Sequence, residues 1–79
     1  LNEALSISPN PATNYLTIEK TFDESTLLVY NPLGKEILKQ HISAKQNKIT
    51  LDVSTWNRGI YFVQIETEGN IITQKIIKE

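Results

Sequence analysis

Apolar residues recur at every second position along most of this chain, and the spacing of three and four that marks a helical stripe is absent. Leu5 and Ile7 alternate with Ser6 and Ser8, which predicts a short first strand. Pro9 must end that strand or push it to an edge, because proline has no N–H to donate to a ladder. Leu16 and Ile18 alternate with Thr17 and Glu19 in a second strand. The intervening run from Pro9 to Asn14 predicts a rigid corner: each proline sets its own φ, and Pro11 biases Asn10 towards extended geometry. Thr26 to Tyr30 forms a third strand that is apolar on both faces, as expected of a central position. Asn31-Pro32-Leu33-Gly34 has the residue order of a type I turn and returns the chain into a fourth strand, Glu36 to Ile42.

After a polar loop from Ser43 to Asn47, Ile49, Leu51 and Val53 alternate with Lys48, Thr50 and Asp52 in a fifth strand with one wet face. In the link from Ser54 to Gly59, Trp56 is the one large apolar group and is expected to cap an end of the core, while Gly59 is expected at positive φ. The sixth strand, Ile60 to Glu66, points Tyr61, Val63 and Ile65 one way and Ile60, Phe62 and Gln64 the other. Thr67-Glu68-Gly69 fits a three-residue hairpin loop with a bulge, and Asn70 to Lys78 is the seventh strand. Seven short antiparallel strands without crossover helices predict an all-β, two-sheet sandwich, with a small barrel as the alternative.

Composition supports that pattern. Eleven isoleucines, three valines and eight threonines stand against three alanines, and β-branched side chains favour pleated surfaces. Seventy-nine residues hold one small domain. A chain of this size buries roughly 60 to 65% of its unfolded surface, which leaves little interior for an enzyme pocket. Eight basic and nine acidic residues give a net charge of −1, without the surplus of lysine and arginine that nucleic acid requires. No apolar run is long enough to insert in a membrane as a helix. Cysteine is absent, so there is no disulfide framework and no thiolate metal site.

Candidate chemistry is sparse. His41 is the sole histidine and lacks partners at ligand or relay spacing, so it reads as a solvated strand residue. No serine sits in a glycine elbow of the kind that activates a nucleophile. Asp23, Glu24 and Asp52 offer hard oxygens but not the spacing of a calcium loop, and solvated turn residues are the better reading. Tyr15, Tyr30, Trp56 and Tyr61 could line a sugar platform, though core and rim positions fit them better. Lys35, Lys75 and Lys78 could form a basic patch, but lysines on an edge strand also guard against edge-to-edge pairing. Neither cofactor nor metal is expected.

Several motifs together carry a resemblance. Pro9-Asn10-Pro11-Ala12 follows a short apolar strand, and Leu16-Thr17-Ile18 comes next. Tyr30-Asn31-Pro32-Leu33-Gly34-Lys35 lies mid-chain, Trp56-Asn57-Arg58-Gly59-Ile60-Tyr61-Phe62-Val63 later, and Lys75-Ile76-Ile77-Lys78 near the end. In this order and spacing the chain resembles the type A C-terminal sorting domain of the type IX secretion system, from about Leu5 to Lys78. Ser8, where an aromatic is common, and Asn31, where an acid is frequent, depart from that pattern. The resemblance implies an immunoglobulin-like, seven-stranded antiparallel β-sandwich at the C-terminus of a larger protein exported by Gram-negative Bacteroidetes. Residues 1–79 would then be one non-catalytic sorting domain that takes N-terminal cargo from the periplasm through the outer membrane. Translocon components and a cell-surface sortase are the implied partners, and the cargo would be released or attached to the surface.

Within that resemblance Pro9, Asn10, Pro11, Ala12, Gly34, Lys35, Gly59, Tyr61 and Val63 have mainly structural tasks. The last strand is expected to leave Lys75 and Lys78 projecting beside Ile76 and Ile77, a strip that a translocon component would read by strand addition and charge pairing. The edge from Asn70 to Lys78 is also open to pairing with another copy. The competing functions are a carbohydrate- or matrix-binding module and a structural spacer of a secreted enzyme.

Overall fold

A computed structural model describes residues 5–20 and 24–79. Asp23 therefore lies outside the described residues. The strands are β1 (Leu5–Ser8), β2 (Tyr15–Lys20), β3 (Ser25–Tyr30), β4 (Glu36–Ile42), β5 (Lys48–Asp52), β6 (Gly59–Thr67) and β7 (Asn70–Lys78). They build two antiparallel sheets, one in the order β1-β2-β5 and the other β4-β3-β6-β7. The period-2 pattern is realised as a sandwich of immunoglobulin-like type, not as a closed barrel.

The inward stripes meet between the sheets. Ile7, Leu16, Ile18 and Ile49 from the smaller sheet pack with Leu27, Val29, Ile42, Val63, Ile65 and Ile76 from the larger, and Ala12 and Tyr61 join the same cluster. β3 is interior, as its two apolar faces require, and Leu28 on its outward side is also buried. Lys20 extends the inward stripe of β2 beyond Ile18 and is only 2% exposed, with Nζ donating to the Ser43 carbonyl at 3.5 Å. A charge in phase with the core was not foreseen from the pattern.

Turn chemistry behaves largely as the residues dictate. Gly34 N–H donates to the Asn31 carbonyl, and Gly34 has φ +84°. The Asn31 side-chain oxygen accepts from Leu33 and Lys35 N–H, both at 2.9 Å, as an acid would at that position. One additional residue, Ile37, sits opposite the Val29–Tyr30 step and bulges β4. The β6–β7 connection is shorter than expected. Thr67 pairs with Asn70, so the loop is the two residues Glu68-Gly69, with Gly69 at φ +86°. The glycine supplies the positive φ directly, and no third loop residue is needed.

Antiparallel register fixes which links share an end of the 34 Å long molecule. The corner 9–14, the turn 31–35, the link 53–58 and the C-terminal end of β7 all lie at one pole. The start of β1, the loop 43–47 and the β6–β7 hairpin lie at the other.

Candidate functional site

Four of the five segments that carry the sequence resemblance, dispersed over most of the chain, converge on the first of these poles, while Leu16-Thr17-Ile18 runs along the body of β2. Gly59 and Pro32 make the first junction. Gly59 has φ +149°, and a Cβ there would stand 2.9 Å from Pro32 Cγ, so only glycine admits this approach of the 31–35 turn to the entry of β6. Tyr61, two residues into β6, is 4% exposed and donates its hydroxyl to the Asn57 carbonyl at 2.7 Å. This is the arrangement of a tyrosine corner, in which a tyrosine early in a strand ties down the link before it. Trp56 stacks on it with ring centroids 4.8 Å apart and packs half-buried against the core, the capping role anticipated for it.

The second junction joins the corner to β7. Ala12, 1% exposed, forms a parallel bridge with Lys78: Ala12 N–H donates to the Ile77 carbonyl at 2.8 Å, and Glu79 N–H donates to the Ala12 carbonyl at 2.9 Å. Asn10 completes the seam with its side chain. Its Nδ2 donates to the Lys75 carbonyl at 3.2 Å, and its Oδ1 accepts from Ile77 N–H at 3.0 Å. A side-chain amide has the same donor and acceptor as a peptide group, so Asn10 and Ala12 together stand in for a neighbouring strand. The preceding Ser8-Pro9 and Asn10-Pro11 bonds are both cis. At the other end of the corner, Val53 N–H donates to the Asn14 carbonyl at 2.9 Å.

These contacts correct the expectation for the last strand in two respects. First, the four residues do not form one projecting strip. Ile76 is 1% and Lys78 7% exposed, facing inward, whereas Lys75 and Ile77 face out. Alternation across a strand puts residues three apart on opposite faces, so Lys75 and Lys78 cannot act together. Lys78 lays its stem along the interior and turns Nζ to the Glu79 carbonyl at 2.9 Å. Second, strand addition along Lys75 to Lys78 is obstructed, because the corner already occupies the edge groups there.

The remaining candidates separate. Tyr15 is exposed on β2, Tyr30 lies half-buried on the outer face of the larger sheet, and Trp56 stacks with Tyr61, so the four aromatics make no common platform. Asp52 ends β5 at the motif pole, while Glu24 lies just before β3 at the opposite one. No cluster of metal-ligating residues occurs among the described residues. Asp52 instead accepts from Ser54 N–H and Oγ at 3.0 and 2.6 Å, and these bonds hold its carboxyl below the ordinary range. His41 is exposed on β4, 3.7 Å from Glu24.

Beside the motif pole, the outer face of the larger sheet carries apolar side chains. Ile60, Phe62 and Ile77 are 43%, 39% and 41% exposed, and Phe62 pairs with Lys75. Strand alternation is the signal for this face, since Ile60 and Phe62 fall out of phase with inward Tyr61 and Val63.

The molecule is thus an immunoglobulin-like β-sandwich with most of its sequence motifs gathered at one end. The family model described as secretion system C-terminal sorting domain matches residues 6–79. The chain belongs to this family, and it is a sorting signal of type IX secretion. Such a signal implies interaction with the type IX machinery, an N-terminal cargo, and export to the cell surface or beyond; the family is not in general catalytic. No curated protein matches the chain.

Proposed function

We propose that the type IX machinery reads the motif pole, using the outward side chains Lys75 and Ile77 held in place by the inward Ile76 and Lys78. The observation that carries this reading is the convergence of most of the motif segments at the pole opposite the entry of β1. Cargo joined ahead of β1 enters at the far pole and leaves the motif pole unobstructed. Recognition then proceeds through side chains on the outer face, where Lys75 offers a point charge beside apolar Phe62 and Ile77. The Asn10 and Ala12 seam keeps that face in one geometry, which lowers the ordering cost of binding.

In this reading residues 1–79 act as a non-catalytic domain of a larger exported protein that passes through the periplasm. A surface sortase then removes the domain, and the cargo is released or attached. The test uses a secreted cargo fused ahead of the domain, with Lys75→Glu and Ile77→Ser combined, and Lys45→Glu, exposed in the far-pole loop 43–47, as control. Cargo bearing the double substitution is expected to remain in the cell while the control is exported. Normal export of the doubly substituted protein, with the domain folded, would overturn the assignment.

A further inference from the structure

β7 is an outer strand, and the corner covers only part of its edge. In an antiparallel ladder, alternate residues turn N–H and C=O away from the partner strand. Ile77 is such a residue, because its N–H and C=O meet Asn10 and Ala12, and by alternation Ile71, Thr73 and Lys75 are as well. The corner reaches back only to the Lys75 carbonyl. Among the described residues, nothing pairs with the outward main-chain groups of Ile71 and Thr73. An open edge accepts one kind of ligand, another extended main chain.

The other edge of this sheet is guarded. β4 is bulged at Ile37 and presents Lys39 and His41 on its exposed positions. By contrast, Asn70-Ile71-Ile72-Thr73-Gln74 contains no charge, proline or bulge, and Ile71 is 63% exposed. Its two ends differ in sign. Glu66 and Glu68 flank the hairpin end, and Lys75 stands at the other. Such an edge is complementary to itself under a two-fold axis, whereas a parallel arrangement would oppose like ends.

We propose that the domain self-associates through the open half of β7, two copies pairing antiparallel about Ile72. Ile71 of each copy then exchanges main-chain hydrogen bonds with Thr73 of the other. Lys75 of the second copy arrives over Gly69, which has no side chain to oppose it. There an open cleft of about 450 Å³ is lined by Glu66, Thr67, Gly69, Asn70 and Ile71. The lysine stem covers exposed Ile71 and its ammonium meets Glu66 and Glu68. Pairing stops at the Lys75 carbonyl, already engaged by Asn10, so the assembly closes as a dimer instead of growing. The surface is small and the dimer correspondingly weak, with Kd on the order of 100 µM.

Sedimentation equilibrium of the 79-residue chain from about 10 µM to 1 mM tests this, with circular dichroism verifying the fold. The wild type is expected to rise towards twice the monomer mass. Thr73→Pro, which removes an outward N–H, is expected to stay monomeric. Lys75→Glu is expected to weaken association about tenfold, and Glu66→Lys in the same chain to restore it. Should Thr73→Pro fail to fold, Ile71→Lys serves in its place. A wild type monomeric throughout would overturn the proposal, as would undiminished association of Thr73→Pro. Failure of the double reversal to recover association would overturn the register about Ile72, and the proposal with it. Capture of a foreign extended peptide along β7 by a chain that never dimerises would reject the second copy as occupant.

Discussion

The two poles of the sandwich are built from similar turn residues but held in different ways. At the far pole, Gln46 N–H donates to the Ser43 carbonyl, Ser43 N–H to Gln46 Oε1 and Thr67 Oγ1 to the Asn70 carbonyl, and the longer bonds join Lys20 at the end of β2 to the carbonyls of Asn47 and Ser43 in the neighbouring loop. At the motif pole, Asn10 bonds to Lys75 and Ile77, across nearly the whole chain, and Gly59 lies against Pro32. A local bond rigidifies its own loop, whereas a bond between distant segments sets how elements sit on one another. The same kind of residue should therefore matter more at the motif pole.

The glycines provide the sharpest contrast. Gly59 and Gly69 both have positive φ, but a Cβ on Gly59 meets Pro32 at 2.9 Å and one on Gly69 meets nothing within 4 Å. Gly59→Ala is expected to cost about 3 kcal/mol, combining backbone strain with displacement of the turn, and Gly69→Ala about 1 kcal/mol from strain alone. Urea denaturation of the two variants measures the difference, and equal losses would erase the distinction between the poles.

Side-chain amides give the next comparison. Asn10→Ala removes two contacts to β7 and is expected to lower stability by about 2 kcal/mol, with faster exchange of the Ile77 amide hydrogen. Gln46→Ala deletes one exposed, local bond and should cost about 0.5 kcal/mol or less. Unchanged protection of Ile77 in the Asn10 variant would show that the seam is held by Ala12 alone.

The smallest effect belongs to Asp52. Its carboxyl is held below the ordinary value of 3.8 by the Ser54 hydroxyl and Ser54 N–H. A lowered folded-state pKa contributes stability that is present above the unfolded value and is lost as pH falls through the folded one. Titration of the Asp52 carboxyl by NMR is expected to give a midpoint under 3.8 that moves upward in Ser54→Ala, with the fold intact. A midpoint that does not move would assign the shift to the backbone bond.

Much of the fold could be read in advance. The bounds of β4 and β7 follow the period-2 pattern, and the double apolar face of β3 placed it inside its sheet. The turn residues at 31–34 act through local chemistry that needs no tertiary knowledge. Lys20 and Lys78 are less visible: each falls in phase with an inward stripe, yet a charged side chain by itself argues for exposure. A lysine at the end of an inward stripe can bury its stem and turn its ammonium to nearby carbonyls. The Asn10 seam had no local signature. Pro9 to Ala12 announces a rigid corner, but the groups that satisfy it belong to a strand more than sixty residues later.

What the amino-acid order determines unaided is therefore the set of strands, the positions of the turns and the facing of each side chain, since these follow from φ preference and a two-residue repeat. Tertiary structure alone decides that the corner overlies the end of β7 while Ile71 and Thr73 remain open. That outcome depends on how two sheets pack and where unsatisfied main-chain groups then meet. No local pattern carries that information.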